Sequence, residues 1–425
     1  MSSTFIPLSD PHVTGAEMKA MTEVLQSPRL SAGPAVQAFE EAFAAYTGRW
    51  HAIAVSSGTA AMLLVLKTYG IGPGAEVIAS AHSWRETAHA IVLAGATPVF
   101  ADIDYWAGTL APTKAEARIG EKTRAIMAGN TNGHPAPWAA FQELAKKTGL
   151  VLLEDSTEAI GFIYEGKPVG SFGRCAVFDL SQPCAITCGE GGMIVTDDED
   201  IAYANRRHRG RLPEVRPSLV VGSGVPYQAK MSDLAAALGL AQLNRIEAIL
   251  ALRETVAGLF FKYLKSFEGI KDPYIASGVD RVNWFLYTVH LGTRFSRSSR
   301  DAILDDLKTE GIEAAAYSQP LHLQRYYLDL GHRCGELFVT EKVADRAIAL
   351  PFHPHLTETQ IAFIVGTMKD ASHQCGCRNG NLPLTRKAGD GLCETLESLD
   401  SADADDPPHR QNRAWPAGSG PTPGR

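Results

Sequence analysis

An alternation of short apolar runs with amphipathic helical patterns, between residues 51 and 155, constrains the fold more than any other feature of the sequence. Each run has the length of a buried strand, and helical patterns with apolar residues every three to four positions lie between the runs. Helical crossovers of this kind join parallel strands, so the pattern predicts an α/β fold whose sheet is largely buried between helices. The segments are, in order, HAIAVSS, TAAMLLVLKTYG, EVIAS, RETAHAIVLAG, TPVFADI, WAAFQELAKKTG and LVLLEDS.

The rest of the chain predicts a second, smaller α/β unit and a tail. A long helical pattern over residues 232–267 leads into the strand pattern FLYTVHL and the helical patterns RDAILDDLKTEG and TETQIAFIVGTMKD. At 425 residues the chain is long enough for two domains. We expect a large domain over residues 1–250 and a small C-terminal domain over residues 251–370. Beyond them, apolar periodicity gives way to Gly, Pro and Asp, which predicts a disordered tail over residues 371–425.

Charge and hydropathy argue against several classes of function. The net charge of −7 has the wrong sign for a nucleic-acid-binding surface, and no apolar run approaches the roughly 20 residues of a membrane helix. The segment MSSTFIPLSDPHVTG lacks the charged and apolar regions of a secretory signal, and the seven cysteines are irregularly spaced. We therefore expect a cytoplasmic protein with reduced thiols. We expect no metal site, because His373, Cys375 and Cys377 have no second ligand cluster nearby.

Three segments at predicted strand ends have the residues to hold a planar, phosphorylated ligand. Gly58 and Thr59 in VSSGTAA lie between a strand and a helix, where N–H groups suit a phosphate, although Ser-Gly-Thr is also an ordinary helix N-cap. Asp155 in LLEDSTEAIG ends a strand, where open α/β sheets bind ligands, or it caps the next helix. Trp84 in SAHSWRETAH either stacks on a planar ring or belongs to the core.

The order of these segments resembles the sugar aminotransferases of the DegT/DnrJ/EryC1/StrS family, which have the type I fold and use pyridoxal phosphate. The resemblance runs from about Phe5 to Asp370 and implies a large, mixed, mostly parallel sheet domain plus a smaller C-terminal α/β domain. It also implies a homodimer and, as a small-molecule substrate, a sugar or cyclitol of specialised metabolism such as antibiotic biosynthesis. The matching segments are FEEAFAAYTG, AVSSGTAAM, AGATPVFADID, EDSTEAIG, GEGGMIVTDD, MSDLAAALGLAQL, QPLHLQRYY and ALPFHPHLT.

The resemblance implies a role for each residue of a cofactor site. Gly58, Thr59 and Ala60 would hold the cofactor phosphate. Asp155 would pair with the protonated pyridine nitrogen, which makes the ring an electron sink, and Trp84 would stack on the ring. In the family, a lysine in the loop before the Gly-Glu-Gly-Gly sequence forms the Schiff base with the cofactor.

The loop departs from the family at its centre. Aligned without a gap through Phe178 and the glycines of residues 189–192, it has Cys184 in place of the Schiff-base lysine. A thiol cannot form an imine, so we expect no covalently bound cofactor. Asp179 replaces a phosphate-binding serine, and at about 5 Å it would repel the phosphate by about 3 kcal/mol per unit charge, or two orders of magnitude in affinity. Non-covalent binding of pyridoxal phosphate stays open.

Further positions near the predicted cleft also differ. Glu158 replaces the glutamine of the family's Glu-Asp-X-X-Gln pattern, and Gln228-Ala229-Lys230 replaces an Asn-Tyr-Arg segment that reaches the neighbouring subunit's site. His82 is a further neighbour to consider. The resemblance thus implies a pocket whose frame is kept and whose reactive centre is changed.

Three hypotheses about function follow. In the first, which we favour, the protein is a repurposed enzyme whose pocket gathers Asp155, Glu158, Asp179 and Cys184. Crowded carboxylates repel one another, so at least one holds a proton near neutral pH and can act in acid–base catalysis, whereas the same acids disfavour a Cys184 thiolate. In the second, the protein is a conventional pyridoxal-phosphate aminotransferase that uses the amine of Lys230, donated across a dimer interface. In the third, it is a non-catalytic subunit that supports a lysine-bearing paralogue.

Overall fold

The computed structural model describes residues 5–31, 33–210, 225–265, 267 and 269–378. The strands are β1 (His51–Val55), β2 (Glu76–Ser80), β3 (Thr97–Ala101), β4 (Thr123–Gly129), β5 (Val151–Asp155), β6 (Ile163–Tyr164), β7 (Lys167–Pro168), β8 (Cys175–Asp179), β9 (Gly192–Thr196), β10 (Ile270–Lys271), β11 (Val279–Arg281), β12 (Tyr287–Leu291), β13 (Ala315–Ala316) and β14 (Ala347–Leu350). The helices are α1 (Gly15–Leu25), α2 (Pro34–Thr47), α3 (Gly58–Thr68), α4 (Arg85–Leu93), α5 (Pro112–Glu116), α6 (Trp138–Thr148), α7 (Glu199–Arg209), α8 (Asp233–Leu243), α9 (Ile246–Leu264), α10 (Arg297–Thr309), α11 (Arg325–Asp329), α12 (Phe338–Ala344) and α13 (Glu358–Arg378).

A seven-stranded sheet in the order β1-β9-β8-β5-β4-β2-β3 forms the centre of the fold. Strands β2, β3, β4, β5 and β8 pair in parallel. Only β9 runs the other way in this sheet, antiparallel to both β1 and β8. The predicted mixed, mostly parallel sheet is therefore confirmed, and the carboxyl ends of β1, β2, β4, β5 and β8 share one edge.

Helices cover both faces of this sheet, because successive residues of its strands point to opposite apolar layers. In β1, Ala52 and Ala54 pack with Phe39 of α2 and Trp138 of α6 on one face. Ile53 and Val55 pack on the other face with residues of α3 and α4. Each large side chain buried in these layers contributes about 1.5–3 kcal/mol to stability.

The C-terminal part of the described chain has an antiparallel sheet in the order β10-β12-β14-β13. Its core includes Ile303 of α10 and Ile364 of α13. A third small sheet has the order β11-β6-β7. All described residues belong to one compact unit, and the domain boundary predicted at residue 250 falls inside α9.

Two features of the C-terminal half differ from the sequence-based expectation. The helical pattern over residues 232–267 is broken into α8 and α9, which bend by 63°. Helix α13 continues to Arg378, so residues 371–378 are helical rather than part of the predicted tail. Ala371 explains the difference, because its side chain is buried in the core beside α10. Residues 379–425, where the rest of the predicted tail lies, are outside the described residues.

None of the described helices alone combines the length and the apolar composition of a membrane span. The bent α8–α9 pair meets both criteria when its two helices are counted together.

Candidate active site

The predicted site residues meet at the carboxyl edge of the central sheet. β1 leads into Ser57 and Gly58, β5 ends at Asp155, and β8 ends at Asp179. Gly192 at the start of β9 lies between them, paired with both Val55 and Asp179. A Cβ atom on Gly192 would clash with the backbone of Ser57 and would lie 2.8 Å from Gly58 N. The lack of a side chain at Gly192 therefore lets the start of α3 approach Asp179.

The carboxylate of Asp179 lies at the N-terminus of α3. The N–H of Gly58 donates to Asp179 Oδ2 at 3.1 Å, and the N–H and hydroxyl of Ser181 donate to Oδ1 at 2.7 and 2.5 Å. The partial positive charge of a helix N-terminus also stabilises a carboxylate there. The chain thus fixes Asp179 at the start of α3, and its assignment as a candidate catalytic residue stays a prediction.

The contact between Asp179 and Gly58 determines whether the start of α3 can hold the phosphate of a cofactor. The N–H of Gly58 already donates to Asp179, and the N–H of Ala60 donates to the Ser57 hydroxyl at 3.1 Å. A Cβ atom on Gly58 would lie 2.5 Å from Asp179 Oδ2 and 2.8 Å from its Cβ, so the aspartate side chain fills the space beside the helix start. Thr59 lies half-buried in the same turn. The residues present do not fit the phosphate of pyridoxal phosphate.

Asp155 has the predicted position at a strand end but is surrounded by hydroxyl donors. Thr87 of α4 donates to Oδ2 at 2.5 Å, and Thr157 donates to Oδ1 through its hydroxyl at 2.7 Å and its N–H at 3.2 Å. Burial raises the pKa of Asp155, and the nearby charge of Asp179 adds to the increase. Trp84, the residue just before α4, is half-buried with its ring centroid 6.3 Å from that of Phe285.

Glu158 is the carboxyl group of the site with the clearest capacity for proton transfer. It is buried, and its Oε2 accepts hydrogen bonds from the N–H of Asn132 at 2.7 Å and from the hydroxyl of Tyr317 at 2.5 Å. Burial raises the pKa of Glu158 to about 7, and the charge of Asp155 also contributes. The expectation that one crowded carboxyl holds a proton near neutral pH applies to this residue. His82 lies nearby, with its ring edge-on to Tyr317 at 5.6 Å.

Cys184 is a buried thiol rather than a thiolate. Its Sγ donates to the backbone carbonyl of Asp179 at 3.8 Å. Burial raises its pKa to about 11, despite the opposing influence of the Arg253 guanidinium, so acid–base chemistry is favoured over thiol nucleophilicity. Cys175, Cys184 and Cys188 are free thiols. Cys334 is disulfide-bonded, which contradicts the expectation that the cysteines are all reduced.

The segment predicted to reach a neighbouring subunit runs beside the start of α3. Lys230 forms a β-bridge with Val55, and Ser56 donates its N–H to the carbonyl of Ala229 at 3.0 Å. Gln228 is exposed, with a backbone φ of 56° in the left-handed region. Lys230 therefore lies at the outer edge of β1, and its side-chain carbons occupy the space beside Gly210, the residue after α7. Entry of its amine into a cleft, which the second hypothesis needs, stays a prediction.

Sequence reasoning missed two partners of the predicted acids. Tyr317 is 159 residues away from Glu158 in the chain and comes from the turn after β13. Thr87 is a helical residue without a motif of its own. Its only sequence signal is its place one turn after Trp84, at the start of a helix that follows a strand end.

Comparisons with known proteins identify the family and the fold. A model of the DegT/DnrJ/EryC1/StrS aminotransferase family matches residues 11–369. The spore coat polysaccharide biosynthesis protein SpsC of Bacillus subtilis is 32% identical over 377 residues, covering 86% of this chain and 97% of that protein. GDP-perosamine synthase of Caulobacter vibrioides is 35% identical over 367 residues, covering 85% and 97%. The PLP form of the putative sugar aminotransferase Spr1654 from Streptococcus pneumoniae superimposes with a TM-score of 0.83 at 25% identity, covering 88% of this chain and 100% of that one.

Proposed function

The chain belongs to the DegT/DnrJ/EryC1/StrS aminotransferase family, and from that premise we propose that it is an enzyme in which acid–base chemistry replaces Schiff-base chemistry. Its substrate would be a sugar, a cyclitol or a related intermediate of specialised metabolite biosynthesis. This substrate class follows from the family and not from any single residue of the chain. We propose further that no cofactor is covalently bound, because Cys184 stands at the position of the Schiff-base lysine.

The Glu158–Tyr317 pair is the observation that carries the proposal. A general acid–base group is most effective when its pKa lies near the working pH, and the pKa of Glu158 is about 7. Both hydrogen-bond donors reach Oε2, so we assign proton exchange with the substrate to Oε1. In the charged state Glu158 would take a proton from a carbon next to a substrate carbonyl, and in the protonated state it would return that proton to another atom.

Asp179 and Cys184 act through position in this scheme. Asp179 caps α3 and fixes the end of β8, and the Cys184 thiol hydrogen-bonds to the carbonyl of Asp179. Asp155 keeps a buried carboxyl beside them, bonded to Thr87. These three residues would shape the floor of the cleft, while Glu158 transfers the proton.

Conventional transamination is the alternative favoured by the family itself, and it needs an amine from Lys230. The side-chain carbons of Lys230 lie beside Gly210, the residue after α7, so this alternative needs the amine to come from a second copy of the chain. A non-catalytic role beside a lysine-bearing paralogue is the other alternative. It would explain Cys184 as drift, but it gives no reason for the buried Glu158–Tyr317 pair.

A spectrum separates the first two functions. Purified protein is mixed with pyridoxal phosphate, and the visible spectrum is recorded before and after borohydride. We expect no covalently fixed chromophore, whereas an adduct mapped by mass spectrometry to Lys230 would establish transamination instead. Deuterium exchange from solvent into a panel of keto sugars and keto cyclitols then separates an enzyme from a scaffold, because only an enzyme should catalyse it.

We also propose a cytoplasmic homodimer that binds a small-molecule substrate. Large apolar side chains on and beside α1 are exposed, with Met18 at 65%, Leu25 at 61% and Leu30 at 48%. Clustered apolar exposure of this kind often marks an interface. Light scattering after size-exclusion chromatography should give the mass of two chains. The mass of one chain would contradict the dimer, and a stable complex only with a paralogous aminotransferase would favour the supporting role.

A further inference from the structure

We propose that Asp179 is a built-in substitute for a ligand phosphate, so that the protein excludes phosphate-bearing molecules from the α3 end of its cleft. The inference rests on the proposed function only in taking this cleft as the active site. It deepens that function by restricting the substrate to molecules without a phosphate at this end. It concerns binding and does not require Glu158 to be catalytic.

The chain itself fills the position at the N-terminus of α3 where an anion would bind. A helix N-terminus attracts anions through its free N–H groups and its dipole. Here the carboxylate of Asp179 accepts the N–H of Gly58, the first residue of α3, at 3.1 Å. Three atoms of the Asp179 side chain lie within 3.0 Å of a Cβ atom built on Gly58. A phosphate, which is larger than a carboxylate, cannot share that space.

Hydrogen bonds hold the Asp179 side chain beside Gly58. Its other oxygen accepts two hydrogen bonds from Ser181. The loop beyond it is closed by hydrogen bonds from Leu180 N–H to the carbonyl of Gly191 at 2.9 Å and from Cys188 N–H to the carbonyl of Leu180 at 3.0 Å. Displacement of Asp179 would therefore break contacts at both of its oxygens and disturb a closed loop.

The negative charge of the Asp179 carboxylate also repels a phosphate. A phosphate at about 5 Å from the Asp179 carboxylate would lose about 100-fold in affinity for each unit of its charge. Steric and electrostatic exclusion act in the same direction. Ligands that approach α3 should therefore be uncharged at that end, as the hydroxyl groups of an unphosphorylated sugar or cyclitol are.

Inorganic phosphate is the probe that tests the inference. We would compare wild type, Asp179→Ser and Asp198→Ser by isothermal titration calorimetry. Asp198 is the matched control, because it caps the eleven-residue helix α7 by accepting the Ile201 N–H at 3.1 Å. We expect Asp179→Ser to bind phosphate at least about 100-fold more tightly than wild type or Asp198→Ser. Equal affinity of the three proteins for phosphate would overturn the inference.

Wild type alone supplies a second test if Asp179→Ser does not fold. Hydrogen–deuterium exchange of the peptide that covers residues 56–62 should be the same with and without phosphate, because Asp179 already occupies the Gly58 N–H. Protection of this peptide by phosphate would show that the anion reaches α3 and would refute the proposal. Neither result bears on proton transfer by Glu158, so failure here is distinguishable from failure of the proposed function.

Discussion

Two carboxyl groups at the same sheet edge, Asp179 and Glu158, are held in opposite ways. Asp179 lies half-buried at a helix N-terminus, with donors on both oxygens from Gly58 and Ser181. Glu158 is buried, and the N–H of Asn132 and the hydroxyl of Tyr317 both donate to its Oε2. The first environment fixes the side chain through donors on both oxygens, whereas burial in the second raises the pKa of the carboxyl to about 7.

A third acid, Glu154, is buried at the same sheet edge but has a different set of hydrogen-bond donors. It is as buried as Glu158, yet it accepts hydrogen bonds on both oxygens, from the N–H groups of Gly170, Phe172 and Gly173 and from the side chains of Asn130 and Ser156. Such saturation marks a structural group. Burial alone therefore does not distinguish the proposed acid–base residue, because Glu158 and Glu154 are both buried and differ in the distribution of their donors.

Replacement of Glu158, the proposed acid–base residue, should have the largest effect on the rate of deuterium exchange. In Glu158→Gln the amide can accept the same hydrogen bonds but cannot take up a proton, so catalysed deuterium exchange into a keto substrate should fall about 10²–10⁴-fold. The rate is measured by NMR on the panel compound that wild type exchanges fastest. Glu116→Gln, at an exposed ion pair with Lys147, serves as the control. A rate within about threefold of wild type for Glu158→Gln would place proton transfer on another residue.

The pH dependence of stability should show the second-largest effect. The pKa of Glu158 is raised from 4.5 to about 7 in the folded protein, so the folded state binds this proton more tightly than the unfolded state. The stability it contributes is fully present below about pH 4.5 and is lost as pH rises to about 7. At about 1.4 kcal/mol per pKa unit, the loss is about 3 kcal/mol.

Urea unfolding of wild type and Glu158→Gln at several pH values between 4 and 8 measures this contribution of Glu158 to the free energy of unfolding. The free energy of unfolding of wild type should fall relative to that of Glu158→Gln across the window. Other buried acids titrate in both proteins, so the difference isolates Glu158. Parallel curves would mean that Glu158 has the same pKa in the folded and unfolded states and would remove the basis for its proposed role.

Loss of the α3 cap should have a smaller effect. Asp179→Ala leaves the Gly58 N–H and the Ser181 donors to water, and we expect a loss of about 1–2 kcal/mol in the free energy of unfolding. Asp198→Ala, which removes a cap of α7, gives the scale for an ordinary cap. If Asp179→Ala is instead more stable than wild type, Asp179 is a strained functional group, and the contrast with Glu158 disappears.

The sequence predicted the parts of this comparison that depend on local pattern. Alternating apolar runs identified β1, β2, β3 and β5, and Asp155 and Gly58 follow from their positions at strand ends. The central strand β4 was not predicted, because its TRAIMAG sequence is followed by no strong helical pattern before residue 138. Tertiary pairing with β2 and β5 selects the strand there.

The contacts that define the two carboxyl environments could not be read from the sequence. The alignment placed Asp179 near a phosphate position, but its contact with Gly58 is made between residues 121 positions apart and depends on the missing side chain of Gly192. Tyr317 reaches Glu158 from another sheet. Such contacts arise only when separate elements pack, and no local periodicity encodes them.

Removal of the Tyr317 hydroxyl should have the smallest effect, and it tests directly what sets the pKa of Glu158. This hydroxyl donates to the charged carboxylate and lowers the pKa of Glu158, against the larger effect of burial. Tyr317→Phe should therefore raise the pKa of Glu158 above about 7, by about one unit, since a hydrogen bond to a charged group contributes about 1.5–3 kcal/mol before relaxation. Carbon-13 NMR of glutamate-labelled protein measures the titration, with Glu158→Gln used to assign the signal. Tyr327→Phe is the control, because the buried Tyr327 hydroxyl has no hydrogen-bond partner among the described residues. Two outcomes would contradict this prediction: an equal pKa shift in both variants, or a lowered pKa in Tyr317→Phe. Either would mean that the Tyr317 hydroxyl does not stabilise the charged form of Glu158 in solution.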